Sequence, residues 1–156
     1  RGSKQCNSPR FSWHYSINYR GQTMLNLDRS DTLHRLPCCG ITAISIFTGA
    51  RFDDVWKFVK SRKRGNWKGS TYHSDQKAAL KRFNRGRTVA VKVPTRKTLE
   101  RFAREDARPG VAYMIRTTGH QQVLKDGIVA DQRGSARVSE FWGRRKRVVH
   151  FWAKSV

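Results

Sequence analysis

The chain has 156 residues, 37% hydrophobic and 11% aromatic, with 33 Lys plus Arg against 11 acids for a formal charge of +22. That length and apolar content predict one domain, residues 1–156, with a core that needs no staples, and exclude a disordered tail. The charge surplus repels itself and calls for an anionic partner: nucleic acid first, an acidic protein surface second, a membrane a distant third.

No run reaches the roughly 18 apolar residues of a membrane span, and no stretch reads as a secretory signal. The first residues, Arg1-Gly2-Ser3, lack a methionine and read as a tagged, processed or excised product. Three cysteines, Cys6, Cys38 and Cys39, make an odd count with two adjacent. A disulfide framework is not expected, although a Cys6–Cys38 bridge is compatible with the sequence, and the usage points to a reducing, cytoplasmic setting. No Cys/His group has zinc spacing, so no metal and no cofactor are expected.

Residues 1–35 read as irregular, apart from weak strand-like alternation over Ser12–Tyr19. The stretch from Leu36 to Gly49 is the organising one. Pro37 suits a first helical turn, Ile41, Ala43, Ile44, Ile46 and Phe47 are too apolar for a surface helix, and Thr48-Gly49 supplies a stop. A thiol at such a helix start meets the positive end of the dipole and unpaired N–H groups, which lower its pKa. The alternative for Cys38 and Cys39 is that they are small core residues.

Asp53-Asp54 open a second helix whose buried stripe is Val55, Phe58 and Val59, with Phe52. It runs into a basic tract from Lys57 to Lys68 that contains Trp67 and no acid. Ser74 caps a third helix to about Asn84 with Ala79, Leu80 and Phe83 inward. Thr88–Val93 alternates as a strand ended by Pro94, and Thr95 caps a fourth helix to about Asp106. Strands then follow at Val111–Thr117, His120–Lys125, Ile128–Asp131 and Arg147–Trp152, which makes the class α+β: helices first, antiparallel sheet afterwards.

Asp126-Gly127 between apolar runs signals a two-residue hairpin turn. It pairs Lys125 with Ile128, Leu124 with Val129, Val123 with Ala130 and Gln122 with Asp131. His120 and Asp131 then share one sheet face as diagonal neighbours, where an acid can hold an imidazole in one tautomer. The alternative is a solvated pair on an exposed face.

Cys39-Gly40-Ile41-Thr42-Ala43-Ile44, with Gly119-His120 and the hairpin to Asp131, resembles the papain-like cysteine hydrolase superfamily, particularly small phage and bacterial papain-fold proteins. The resemblance covers roughly residues 36–132. It implies a papain-like fold with a central Cys-bearing helix, Cys39 as nucleophile, His120 as general base then acid, Asp131 orienting the ring, and the Cys39 N–H as half of an oxyanion hole. Cys39 is chosen over Cys38 because it precedes the Gly-Ile-x-Ala pattern. The pattern departs at Cys38, where Asp or Asn is common, and at Leu33, where an oxyanion-hole Gln is expected; Gln22 and His34 are substitutes.

Two functions compete. One is a cysteine hydrolase acting on a peptide, isopeptide or other amide. The other is a non-catalytic, papain-fold nucleic-acid-binding or virion-associated protein. The second draws on Lys60, Arg62, Lys63, Arg64, Trp67 and Lys68, on Arg144, Arg145, Lys146 and Arg147 beside Trp142, and on the runs Lys81–Arg87 and Arg96–Arg108. Cations interleaved with aromatics suit phosphate contact and base stacking, and no base-reading motif is visible, so sequence-independent binding is expected. A phage origin would place the chain in a host cytoplasm or a virion. A histidine nuclease is a third class, with no particular pair of histidines indicated.

Overall fold

A computed structural model describes residues 38–84, 90–92 and 95–155. The expectations for residues 1–37, including the Ser12–Tyr19 strand, Pro37, Cys6, Gln22, Leu33 and His34, lie outside the described residues.

Helix α1 spans Cys39–Thr48 and is apolar on nearly every side, with Gly40 through Ile44, Ile46 and Phe47 buried. Gly49 ends it at φ 76°, its N–H returning to the Ser45 carbonyl, a left-handed cap that a side chain resists. Helix α2 (Phe52–Ser61) carries Asp53 and Asp54 in its first turn and buries Phe52, Val55 and Val59. Helix α3 (His73–Phe83) begins earlier than Ser74: Tyr72 is the N-cap, and its N–H donates to Asp75 Oδ2 at 2.8 Å. A carboxylate three residues into the helix outcompetes the serine as cap partner because it accepts with full charge.

Strand β1 (Ala90–Lys92) precedes helix α4 (Leu99–Glu105), which is capped by Thr98 and not by Thr95: Thr98 Oγ1 accepts from the Arg101 N–H at 3.3 Å. Then come β2 (Val111–Thr117), β3 (His120–Lys125), β4 (Ile128–Asp131), β5 (Gly134–Arg137) and β6 (Val148–Ser155). They form one antiparallel sheet in the order β1-β6-β2-β3-β4-β5, so the last strand is inserted next to β2. Strand β5 is additional to the sequence reading, and β6 runs three residues past Trp152.

The fold is α+β, with helices on both faces of the sheet. Ala112, Met114, Val123, Ala130 and Trp152 pack with α1, α2 and α3. Tyr113, Ile115, Leu124, Val129 and Phe151 alternate onto the other face, against Leu99 and Phe102 of α4 and Phe141. Completely buried Phe102 alone contributes about 2–3 kcal/mol of apolar transfer. Helix α4 enters after β1, the order in which the sequence reading placed the fourth helix and the strand before it, and it packs on the far face, where Leu99 and Phe102 meet Tyr113 and Phe151.

Candidate active site

Asp126 (φ 48°) and Gly127 (φ 75°) both take positive φ, the requirement of a type I′ turn, and fix the hairpin register. The ladder pairs Val123 with Ala130, Leu124 with Val129 and Lys125 with Ile128, as the spacing requires. The fourth expected pair, Gln122 with Asp131, is absent from the ladder. Pairing of β3 with β4 therefore stops short of His120, and the Gln121 N–H is free to serve another acceptor.

That acceptor is the Cys39 sulfur. Cys39 is the first residue of α1, and its thiol takes hydrogen bonds from the backbone of Gln121 and Gly40 and shares one with the His120 ring. Gly40 permits this approach: a Cβ there would lie 1.9 Å from Thr71 Oγ1 and 3.0 Å from Gln121 Oε1. On its other side the imidazole meets the carboxylate, His120 Nε2 lying 2.8 Å from Asp131 Oδ2. Nε2 is thus committed to the acid and Nδ1 is left to face the thiol. His120 and Asp131 are 8% and 1% exposed, so they are not a solvated surface pair.

Electrostatics follow from these contacts. Burial pushes the Cys39 thiol up, but the bond to His120, the charge of that ring and the Gln121 and Gly40 N–H groups bring it below its ordinary value. Burial pulls His120 down, and bonds to Asp131 and Cys39 outweigh it, so the ring holds its proton more strongly than a free histidine. Asp131 is pushed up by burial and brought lower by His120, by the Arg133 N–H at 2.7 Å on Oδ1, and by Trp142. Both shifts run in the direction that eases proton transfer from the Cys39 thiol to the His120 ring.

The neighbouring cysteine is different in kind. Cys38 is fully buried, its Sγ lies 3.5 Å from Gln132 Oε1, and Thr42 Oγ1 donates to it at 3.8 Å. Burial raises its pKa, so it stays a thiol. One helical step separates a core residue from an activated one.

Trp142 escaped the reading of the site; in the sequence it marks only a basic tract. Its Nε1–H donates to Asp131 Oδ2 at 3.2 Å and its ring stands edge-on to His120 at 5.0 Å between centroids. The register of β2 against β6 slips between Arg116 and Thr117, and the loop before β6 comes across to the site, with the Thr118 N–H on the Arg147 carbonyl at 3.2 Å. Only this long-range closure brings Trp142 to Asp131, so spacing carries no sign of it.

The basic residues fall into two groups. Lys60, in the last turn of α2, and Arg62, Arg64 and Lys68 beyond it are exposed. Lys63 is half-buried in an ion pair with Asp75, and Trp67 packs on Trp56 at 4.7 Å. Lys63 and Trp67 are therefore occupied within the fold. On the α4 side, Arg145 and Arg147 are exposed, Arg144 lies 3.9 Å from Glu100, and Lys146 stands 4.4 Å over the Trp142 ring. Among the described residues no group of three His, Cys, Asp or Glu is placed to hold a metal ion, and no helix is long and apolar enough to cross a membrane. Comparison of the chain with protein-family models, with curated proteins and with solved structures gives no match.

Proposed function

We propose that the chain is a papain-like cysteine hydrolase of peptidase or amidase type, with a basic surface that binds polyanions. The observation that carries the reading is one chain of contacts: the Cys39 thiol at the start of a buried helix, the His120 ring, and the buried Asp131 carboxylate behind it.

The Cys39 thiolate attacks the amide carbonyl, and the carbonyl oxygen takes the negative charge beside the Cys39 N–H. Protonated His120 gives its proton to the leaving amine as the C–N bond breaks, leaving a thioester on Cys39. Neutral His120 then takes a proton from water, whose oxygen displaces the thiolate and releases the acid. Asp131 keeps one tautomer available throughout and stabilises each imidazolium stage.

The test is hydrolysis of a peptide mixture in ¹⁸O-water, read by mass spectrometry. The wild-type chain should place one ¹⁸O in each new carboxyl group and Cys39→Ser none; turnover that survives Cys39→Ser overturns the reading. A second reading, a non-catalytic polyanion binder of a host cytoplasm or virion, is favoured by the exposed cations at Lys60, Arg62, Arg64, Lys68, Arg145 and Arg147. Binding through six to ten phosphate contacts weakens by about 10³–10⁵ between roughly 50 and 200 mM salt, and salt-independent affinity contradicts it.

A further inference from the structure

We propose that Arg133, Trp142 and Lys146 form a docking site for single-stranded nucleic acid at the rim of the Cys39–His120 site, so that a bound strand screens approaching substrates by charge. This rests on the reading of Cys39 and His120 as the reactive pair and adds what stands beside it.

Three observations converge there. Arg133 Cζ and Lys146 Nζ each lie 4.4 Å from the centroid of the Trp142 ring. That ring is 43% exposed, so part of its surface is open to a base. Arg145 and Arg147 extend the cationic surface along the same loop, exposed and with no acidic partner among the described residues. The acid in contact with Trp142 is Asp131, 1% exposed and already bonded to His120, Trp142 and the Arg133 N–H; Glu100 lies beside Arg144, and Glu140 is exposed two residues before Trp142. The other basic tract is less suited, because Lys63 is neutralised by Asp75 and Trp67 is covered by Trp56.

A cation over a half-exposed indole is held more loosely than one paired with a phosphate oxygen. Phosphates therefore draw Arg133 and Lys146 from the ring, and an unpaired base stacks on the face they leave. A duplex offers phosphates but no such base.

Trp142 touches the His120 ring, which bonds to the Cys39 sulfur, so phosphates docked on Arg133 and Lys146 stand one indole ring away from the reactive pair, close enough for their charge to be felt there at low salt, where screening extends to about 30 Å. Their field turns away anionic groups, gathers cationic ones and leaves neutral ones unsteered. With nucleic acid bound, the substrate class narrows to amides flanked by neutral or basic groups.

The experiment uses the full chain, an oligothymidylate, and two alkylating reagents of opposite character. Binding is followed by tryptophan fluorescence, and Cys39 is alkylated with neutral iodoacetamide or anionic iodoacetate at low salt. Bound oligonucleotide should slow iodoacetate about threefold to fivefold more than iodoacetamide. Arg133→Ser/Lys146→Ser should lose at least about tenfold in affinity and lose the discrimination. Arg51→Ser/Lys77→Ser, which removes the same number of charges from exposed positions elsewhere, should keep the discrimination. Circular dichroism confirms that each variant is folded. Equal slowing of the two reagents, or unchanged affinity in the folded Arg133/Lys146 variant, overturns the site. Equal affinity for a duplex or for heparin overturns the single-strand assignment. A Cys39 no more reactive than a free thiol, with oligonucleotide binding intact, removes the hydrolase reading instead and leaves the docking surface standing.

Discussion

Replacing Asp131 by Asn changes one atom and three hydrogen bonds. Oδ2 accepts from His120 Nε2 at 2.8 Å and Trp142 Nε1 at 3.2 Å, and Oδ1 accepts from the Arg133 N–H at 2.7 Å. Asparagine offers one oxygen and one NH₂, so at least one of these donors faces another donor. The bond to His120 also loses its charged acceptor. A hydrogen bond to a charged group is worth about 1.5–3 kcal/mol and a neutral one about 0.5–1.5, a difference of about 1–1.5 kcal/mol or about one pKa unit. The His120 ring titration, followed by NMR, should therefore move down by about one unit. His120 is raised in the folded protein, so its contribution is fully present below the unfolded histidine value and lost as pH rises through the folded one. Asp131 is lowered, so its contribution is present above the unfolded carboxyl value and lost as pH falls through the folded one. The stability gap between wild type and Asp131→Asn, measured by urea unfolding, should be widest between these two limits and narrow on either side. An unmoved or raised His120 titration would refute the role given to Asp131.

Three further outcomes follow from the same contacts. Cys38→Ala should leave the alkylation rate of Cys39 within about twofold while costing about 1 kcal/mol in urea, because Cys38 fills core and does not touch the imidazole. Gly40→Ala drives a methyl group to 1.9 Å from Thr71 Oγ1 and should cost about 1–3 kcal/mol, much of it recovered by adding Thr71→Ala. Lys63→Ala leaves the Asp75 carboxylate, only 5% exposed, with the Tyr72 N–H but without its counter-charge, and should cost about 1–3 kcal/mol in thermal or urea unfolding, whereas Arg64→Ala, on the open surface, should cost less than about 0.5 kcal/mol.

Much of the site was legible because it rests on short-range rules. The Asp-Gly turn sets the register, side-chain alternation puts His120 and Asp131 on one face, and the apolar run after Pro37 makes the Cys-bearing helix central. Each of these needs only a few consecutive residues. What escaped depends on chain segments meeting at a distance. Strand β6 enters beside β2 from the far end of the sequence, and only then does the loop before it bring Trp142 to Asp131. Helix α4 covers the opposite face for the same reason: Leu99 and Phe102 find Tyr113 and Phe151, and nothing in their spacing says which side of the sheet that is. The caps at Tyr72 and Thr98 lie within three residues of the expected ones, where carboxylate and hydroxyl compete locally. Which cysteine is buried was a matter of one helical step, decided by Gln132 and Thr42 closing over Cys38 while Gln121 and His120 meet Cys39.

The central claim is that His120 makes Cys39 a thiolate. An ordinary thiol near pKa 8.5 is about 0.3% ionised at pH 6, whereas a thiol paired with imidazolium is largely ionised, and its lower basicity takes back about half of that gain on a logarithmic scale. The most direct measurement is the iodoacetamide rate constant at Cys39 at pH 6, in wild type and His120→Ala. A wild-type rate at least about tenfold higher is predicted. Equal rates in the two folded proteins would mean that the imidazole does not act on the sulfur, and the hydrolase account would be contradicted.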